Sequence, residues 1–237
     1  MSLYRDEGVV LRTMRLGEAD RIVTFSTKDH GKVRAVAKGV RRTTSKFGGR
    51  LEPLSHVTML CWQGRELDIV NQAEVVDAFR VVREDLHRLS KAMTLLETAD
   101  QLCQEHLANP RLYDMLVGAL RALADADAPA LVPGFLLKAL ALDGAAPVVD
   151  RCASCGDVEG LVAFDLTEGG LLCRACRRGR SVSPAAIDVL RQVLGGRLAE
   201  ALQLPAGPVV DEVGALATEA MELHLDRRLR SAHVSTG

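Results

Sequence analysis

The chain has 237 residues, 48% apolar and 26% charged, with 30 Lys+Arg against 31 Asp+Glu and a formal net charge of −1. This composition is globular rather than disordered, and the length fits one large domain or two small ones. The longest run without a charged residue, Pro53 to Gly64, is 12 residues, short of the ~20 that a membrane-spanning helix needs. Arg5, Asp6 and Glu7 fall where the apolar region of a signal peptide would begin. Membrane and secreted classes therefore fit poorly, and a soluble cytoplasmic protein is expected.

The near-neutral sum hides an uneven distribution. Residues 1–50 hold 12 Lys+Arg and 5 Asp+Glu, whereas residues 51–150 hold 8 and 15. Most of the excess lies in Lys28, Lys32, Arg34, Lys38, Arg41, Arg42, Lys46 and Arg50, opposed in that stretch by Asp29 alone. A basic head joined to an acidic middle points to a polyanion partner for the head. A solvated face in an arginine-rich chain is the plain alternative.

Five short strands are expected in the first 80 residues. Gly8 to Met14 and Arg21 to Ser26 mix β-branched and polar residues, and the turn Asp29-His30-Gly31-Lys32 leads into Val33 to Val40, as in a hairpin. Val57 to Trp62 and Leu67 to Val70 follow, separated by Gln63-Gly64-Arg65. Strand runs at this spacing indicate a small barrel or sandwich. A five-stranded OB-type barrel matches in size, although strand number alone does not select it. Between the third and fourth strands, Arg41 to Arg50 is polar, basic and glycine-containing, an exposed loop of the kind that carries binding residues.

From about Val75 the period changes. Leu86, Leu89, Met93, Leu96 and Ala99 recur at helical spacing, as do Leu112, Met115, Leu116, Ala119 and Leu123 after Asn109-Pro110. Phe135 to Leu142, between Pro133-Gly134 and Asp143-Gly144, reads as a third helix. These stripes read as buried helical core. Ser183-Pro184 starts another helix, with Ser as N-cap and Pro as the first helical residue, and Gly195-Gly196 ends it. A last helix is expected over Pro208 to Arg230, where Arg227, Arg228 and Arg230 suit its C-terminal dipole. The expected class is α+β, with a barrel domain over 1–80, a helical domain over 81–148 and 181–237, and a cysteine module over 149–180 inserted into it.

That module holds two pairs, Cys152-Ala153-Ser154-Cys155 and Cys173-Arg174-Ala175-Cys176, spaced C-x2-C-x17-C-x2-C. The spacing is that of a zinc ribbon. Each turn aims two thiolates at one point about 2.3 Å from a metal, and two turns complete a tetrahedron with no place left for water. One structural Zn2+ is expected. Disulfides suit a cytosolic chain poorly, and a redox pair would sit singly beside a βαβ pattern. Arg151, Arg174, Arg177, Arg178 and Arg180 would offset the charge of a Zn(Cys)4 centre or touch phosphate. Cys61 and Cys103 read as small core residues. No phosphate loop, HExxH, GxSxG or GxGxxG motif is present, and the six scattered histidines form no acid–base constellation. An enzyme is the weaker reading.

Taken together, these segments resemble the RecO family of bacterial recombination-repair mediators. The resemblance is carried by Gly8 to Arg12 and Ala19-Asp20-Arg21-Ile22-Val23, then by Lys38-Gly39-Val40-Arg41-Arg42, Ser45-Lys46-Phe47 and Leu51-Glu52-Pro53-Leu54. It continues through Cys152 to Gly156, Phe164 and Glu168 to Cys176. It implies an N-terminal OB barrel, a helical domain and a zinc module inserted among the helices. It also implies binding of single- and double-stranded DNA, annealing of complementary strands, and no nucleotide hydrolysis. The implied partners are RecR, the single-strand-binding protein through its acidic tail and, indirectly, RecA, with a nucleoid-associated location.

Lys38, Arg41, Arg42 and Lys46 match the family's basic stretch, and Phe47 and Arg50 complete the expected DNA-contact set. Phe47 is the best candidate for stacking on a base, with packing under the loop as the alternative. Trp62, in an apolar strand, is expected in the core. With few aromatics, phosphate contacts should dominate, giving weak sequence preference and steep salt dependence. Two other readings are a protein-interaction scaffold with incidental DNA binding and a zinc-ribbon nucleic-acid enzyme.

Overall fold

The computed structural model describes residues 2–232, and the chain divides into two compact units, Met1–Asp125 and Ala126–Gly237. In the first unit β1 (Leu3–Leu16), β2 (Asp20–Thr27), β3 (Gly31–Ala37), β4 (His56–Trp62) and β5 (Asp68–Asp77) close into a barrel. The strand order is β1-β2-β3-β5-β4, and β1 pairs with β4 to complete the ring. All pairings are antiparallel except β3 with β5, which makes the barrel OB-type. One long strand serves two neighbours: residues 3–9 of β1 pair with β4 and residues 8–16 with β2. A bulge between Val10 and Arg12 bends it between them.

Alternation sorts the strands into two faces. Val23 and Phe25, Val33 and Ala35, Val57, Met59 and Cys61, and Val70 fill the interior. The β3–β4 connection supplies the plug. Phe47 and Leu51, each 1% exposed, bracket a short 3-10 helix over Gly48–Leu51 and join the barrel core. The parallel β3–β5 pairing covers only Ala35↔Asp68 and Val36↔Ile69. The start of β3 is covered instead by the segment after the second helix, where Lys32 N–H donates to Gln104 O at 2.9 Å and His106 N–H to Lys32 O at 3.3 Å.

Helices α1 (Arg80–Glu84), α2 (Leu86–Leu102) and α3 (Pro110–Asp125) complete this unit. Asp85 caps α2 by accepting from the His87 and Arg88 N–H groups, an N-cap arrangement. The expected apolar stripe of α3 is buried at Leu112, Leu116, Ala119 and Leu123. That of α2 is rotated: Ala92, Leu95, Leu96 and Ala99 are buried, whereas Leu86 is 82% exposed. Val75 and Val76, read as the approach to a helix, lie in β5. Trp62, expected in the core, is 40% exposed, because Val57, Met59 and Cys61 take the inward positions of β4 and leave Trp62 outward.

The second unit contains α4 (Leu131–Leu142), a three-stranded sheet of β6 (Leu161–Asp165), β7 (Gly170–Cys173) and β8 (Arg180–Ser181) in the order β7-β6-β8, then α5 (Pro184–Leu194), α6 (Leu198–Ala201) and α7 (Pro208–His224). Ser183 Oγ accepts from the Ala186 N–H at 3.2 Å, and Gly195 ends α5, both as expected. Helix α4 starts earlier than expected and takes in Pro133 and Gly134, since proline is tolerated in a first turn. Helix α7 ends at His224. Arg227, Arg228 and Arg230 lie beyond it, so they do not form its last turn; His233 lies outside the described residues.

Candidate nucleic-acid interface and metal centre

The basic connection is fastened to the barrel through backbone groups. Gly39 N–H donates to Asp20 Oδ1 at 2.7 Å, and Arg41 N–H to Ala19 O at 2.9 Å. Arg41 Nη1 reaches Glu18 O at 2.8 Å, so the connection lies on the β1–β2 turn. Lys46 Nζ donates to Asn71 O at 2.7 Å, and Arg50 Nη1 to Lys46 O at 2.6 Å. Each acceptor is a neutral carbonyl, so these side chains are positioned and keep their charge. Lys38, Arg41, Arg42, Lys46 and Arg50 are all exposed. Among the described residues no carboxylate pairs with any of them.

Other cations of the first unit differ. Asp100 Oδ2 accepts from Arg12 Nε at 2.7 Å, and its Oδ1 lies 3.3 Å from Lys32 Nζ. Glu105 lies 3.5 Å from Arg34, and Glu52 is 2.7 Å from Arg21. The acidic middle of the sequence thus compensates part of the basic head, and the uncompensated remainder is concentrated on the β3–β4 connection. Arg15, opposite Arg21 in the β1–β2 register and exposed, belongs to the same end of the hairpin. The sequence contains no local signal for it, since its position follows from strand register.

Phe47 is the one expected contact residue that departs from this picture. Its ring is in the barrel core, with Lys46 Nζ 5.1 Å from the ring centroid, so it anchors the basic connection and has no free face for a base. The packing alternative holds.

In the second unit the four cysteines converge. Their sulfurs all lie within 4.8 Å of one another, and Cys155 Sγ is 3.7 Å from Cys173 Sγ. A tetrahedron with ~2.3 Å metal–sulfur bonds has edges of about 3.8 Å, whereas a disulfide needs ~2.05 Å; all four are free thiols. The first pair is shaped by a tight turn in which Gly156, at φ +83, donates its N–H to Cys152 O at 2.9 Å. The second follows β7, which comes so close to the preceding chain that a Cβ on Gly170 would lie 2.4 Å from Val148 O.

Cys152 and Cys173 are buried, Cys176 is half-buried and Cys155 is exposed. The Cys155 N–H points at the Cys152 sulfur and, with those of Cys173 and Ser154 and against partial burial, brings its pKa down to about 6. The contact with the Cys155 sulfur pushes the Cys176 thiol up, and the Cys155 thiol is raised as well, so the four sulfurs share protons that a metal ion would displace. The arrangement can hold one ion with four sulfurs and leaves no open position for a substrate.

A closed OB-type barrel with a cationic connection, followed by helices and a four-cysteine cluster, is a class of architecture that accommodates oligonucleotides or oligosaccharides. A family model described as Recombination protein O N terminal matches residues 1–79, and one described as Recombination protein O C terminal matches residues 83–233. The chain belongs to the RecO family, a family of DNA repair and recombination mediators. Among the described residues no helix is long and apolar enough to cross a membrane.

Proposed function

We propose that the protein is a DNA-binding recombination mediator that binds single- and double-stranded DNA and anneals complementary strands. With RecR it helps load RecA onto strands covered by the single-strand-binding protein, in the cytoplasm and at the nucleoid. In this reading residues 1–80 form the DNA-binding domain, with Lys38, Arg41, Arg42, Lys46 and Arg50 on the phosphate backbone. Residues 81–148 and 181–237 form the helical domain, and residues 149–180 the zinc module. The observation that supports the DNA assignment is the run of exposed cations, of which Arg41, Lys46 and Arg50 are held on backbone carbonyls, with no carboxylate among the described residues to cancel them. An annealing partner needs no base-specific contact, and backbone contacts hold a strand without reading it.

Cys152, Cys155, Cys173 and Cys176 would hold one Zn2+, whose closed sulfur shell is structural. The mediator role requires no turnover of nucleotide by this chain. A gel shift on single-stranded DNA comparing wild type with the Lys38/Arg41/Arg42/Lys46 alanine variant tests the reading. Loss of binding by a folded variant is the expected result. Unchanged binding would favour a scaffold whose DNA contact is incidental.

A further inference from the structure

Two stretches of the chain place a pair of arginines just ahead of exposed hydroxyls. Arg41-Arg42 precede Thr43 and Thr44, and Arg177-Arg178, with Arg180, precede Ser181. The two differ in how firmly the hydroxyl is held. Ser181 lies in β8, paired with Ala163 of β6, and its Oγ accepts from Arg177 Nη2 at 2.8 Å. Arg178 and Arg180 are taken up by Glu168 and Glu219. Thr43 and Thr44 belong to no helix or strand, and both are exposed. Among the described residues neither hydroxyl has a partner, and no carboxylate pairs with Arg41 or Arg42.

The connection is anchored on both sides of this site and loose within it. Gly39 N–H is held by Asp20 Oδ1 and Arg41 N–H by Ala19 O, while Phe47 is buried in the barrel core. Past Arg42 the backbone is closed by one turn bond, from Ser45 N–H to Arg42 O at 3.0 Å. An enzyme that modifies a side chain needs a few residues of extended backbone, and opening that one water-exposed bond frees residues 43–45. Ser45 Oγ is already engaged, since it accepts from the Phe47 N–H at 3.2 Å. At ~3.3 Å per extended residue, Arg41 and Arg42 stand roughly 10 and 7 Å ahead of Thr44, clear of a phosphate on its hydroxyl. Arg42 adjoins Thr43 directly, so Thr44 is the better placed of the two.

We propose that Thr44 is a phosphorylation site for an arginine-directed protein kinase, one with carboxylates in its peptide groove, and that the phosphate turns the cationic connection off. The kinase transfers the γ-phosphoryl group of a nucleoside triphosphate. The bond from the γ-phosphorus to the β–γ bridging oxygen breaks and one to Thr44 Oγ1 forms; the hydroxyl proton passes to a base of the kinase, and the nucleoside diphosphate leaves. The product carries about −1.5 to −2 charges and three acceptor oxygens. It falls within the stretch of Lys38, Arg41, Arg42, Lys46 and Arg50, none of which meets a carboxylate among the described residues. Phosphate takes charge-assisted hydrogen bonds from guanidinium and ammonium groups, so one modification supplies the counter-charge that the fold leaves out. The same arginines serve as the label that the kinase reads and as the contacts that its product cancels. The inference rests on the DNA-binding reading above and adds its regulation.

The test treats the full chain with adenosine triphosphate and the catalytic subunit of a cyclic-AMP-dependent protein kinase, an arginine-directed enzyme, and maps the added phosphate by mass spectrometry. Phosphate is expected on Thr44 and not on Ser181. A labelled oligothymidylate is then titrated against treated and untreated chains. The phosphorylated chain is expected to bind about 10-fold more weakly at moderate salt, with a slope of log affinity against log salt shallower by about 1.4, as two cancelled contacts at ~0.7 each require. Removing the phosphate with a phosphatase should restore the affinity. Thr44→Ala should bind as untreated wild type does, both before and after treatment.

A folded chain that takes no phosphate on Thr44 would overturn the site. Thr44 phosphorylated with affinity and salt slope unchanged would overturn the switch and leave the DNA reading standing. Equal weakening of treated Thr44→Ala would place the effect at another residue and overturn the assignment. If untreated wild type binds no oligothymidylate even at low salt, the DNA reading itself fails and the switch with it.

Discussion

On the β3–β4 connection, Arg41, Lys46 and Arg50 donate to backbone carbonyls. In the cysteine module, Arg178 meets Glu168, Arg180 is 3.0 Å from Glu219, and Arg151 is 3.7 Å from Asp150. Both regions are rich in exposed cations, and both read alike in composition. A carbonyl fixes a guanidinium without cancelling its charge, whereas a carboxylate does both. Surface ion pairs contribute little to stability, but each removes a charge from the field that a phosphate chain experiences within a Debye length of roughly 8–10 Å. The β3–β4 connection therefore keeps all of its positive charge, whereas the module keeps only that of Arg174 and Arg177, the latter held by the neutral Ser181 Oγ at 2.8 Å. The difference lies in the acceptors, not in the number of arginines.

The largest expected effect separates the two regions completely. Stripping metal with a chelator, or Cys173→Ser, should unfold the module, because metal binding contributes on the order of 10 kcal/mol in small zinc sites. Amide exchange should show protection lost over residues 149–180, while affinity for single-stranded DNA changes by less than about 3-fold. A large loss of DNA binding would make the module part of the interface. Next, Phe47→Ala should lower barrel stability by about 3–5 kcal/mol by emptying the plug, read from denaturant midpoints. If Phe47→Leu restores stability and DNA binding together, the ring acts through packing.

A smaller effect is expected from the cations themselves. Alanine at Lys38, Arg41, Arg42 and Lys46 should weaken DNA binding roughly 100-fold at moderate salt, with the melting temperature nearly unchanged. The smallest is expected from Arg178→Ala with Arg180→Ala, whose charges are already met by Glu168 and Glu219. Filter-binding affinity should shift by less than about 3-fold; a shift as large as that of the barrel variant would end the comparison.

How much of this was legible in the sequence depends on the range of the signal. The four cysteines are a local pattern, and the structure brings their sulfurs together as the spacing requires. The five strands were also readable, because alternation is local, although β1 and β5 run longer than their apolar patches. The direction of an aromatic side chain was not. Phe47 sits among polar residues yet plugs the barrel, since a closed barrel needs an end cap and the β3–β4 connection crosses that end. Trp62 sits in an apolar strand yet faces outward, because both faces of β4 are apolar and only its pairing with Leu3 and Ile69 fixes which is inside. Arg12 and Lys32 counted toward the basic head, but their partner Asp100 lies 88 and 68 positions away, beyond any sequence window.

The acidic middle does not simply balance the basic head. Its Asp100 and Glu105 neutralise the cations of β1 and β3 that lie against the helical layer, and the β3–β4 connection is left as the positive surface. The most direct measurement of this claim is the affinity for a single-stranded oligonucleotide across salt concentrations, for wild type and the four-alanine variant. A steep linear fall of log affinity with log salt is expected for wild type. The slope should be shallower by about 3 in the variant, as four lost phosphate contacts at ~0.7 each require. Parallel lines for the two proteins, or a flat line for wild type, would contradict it.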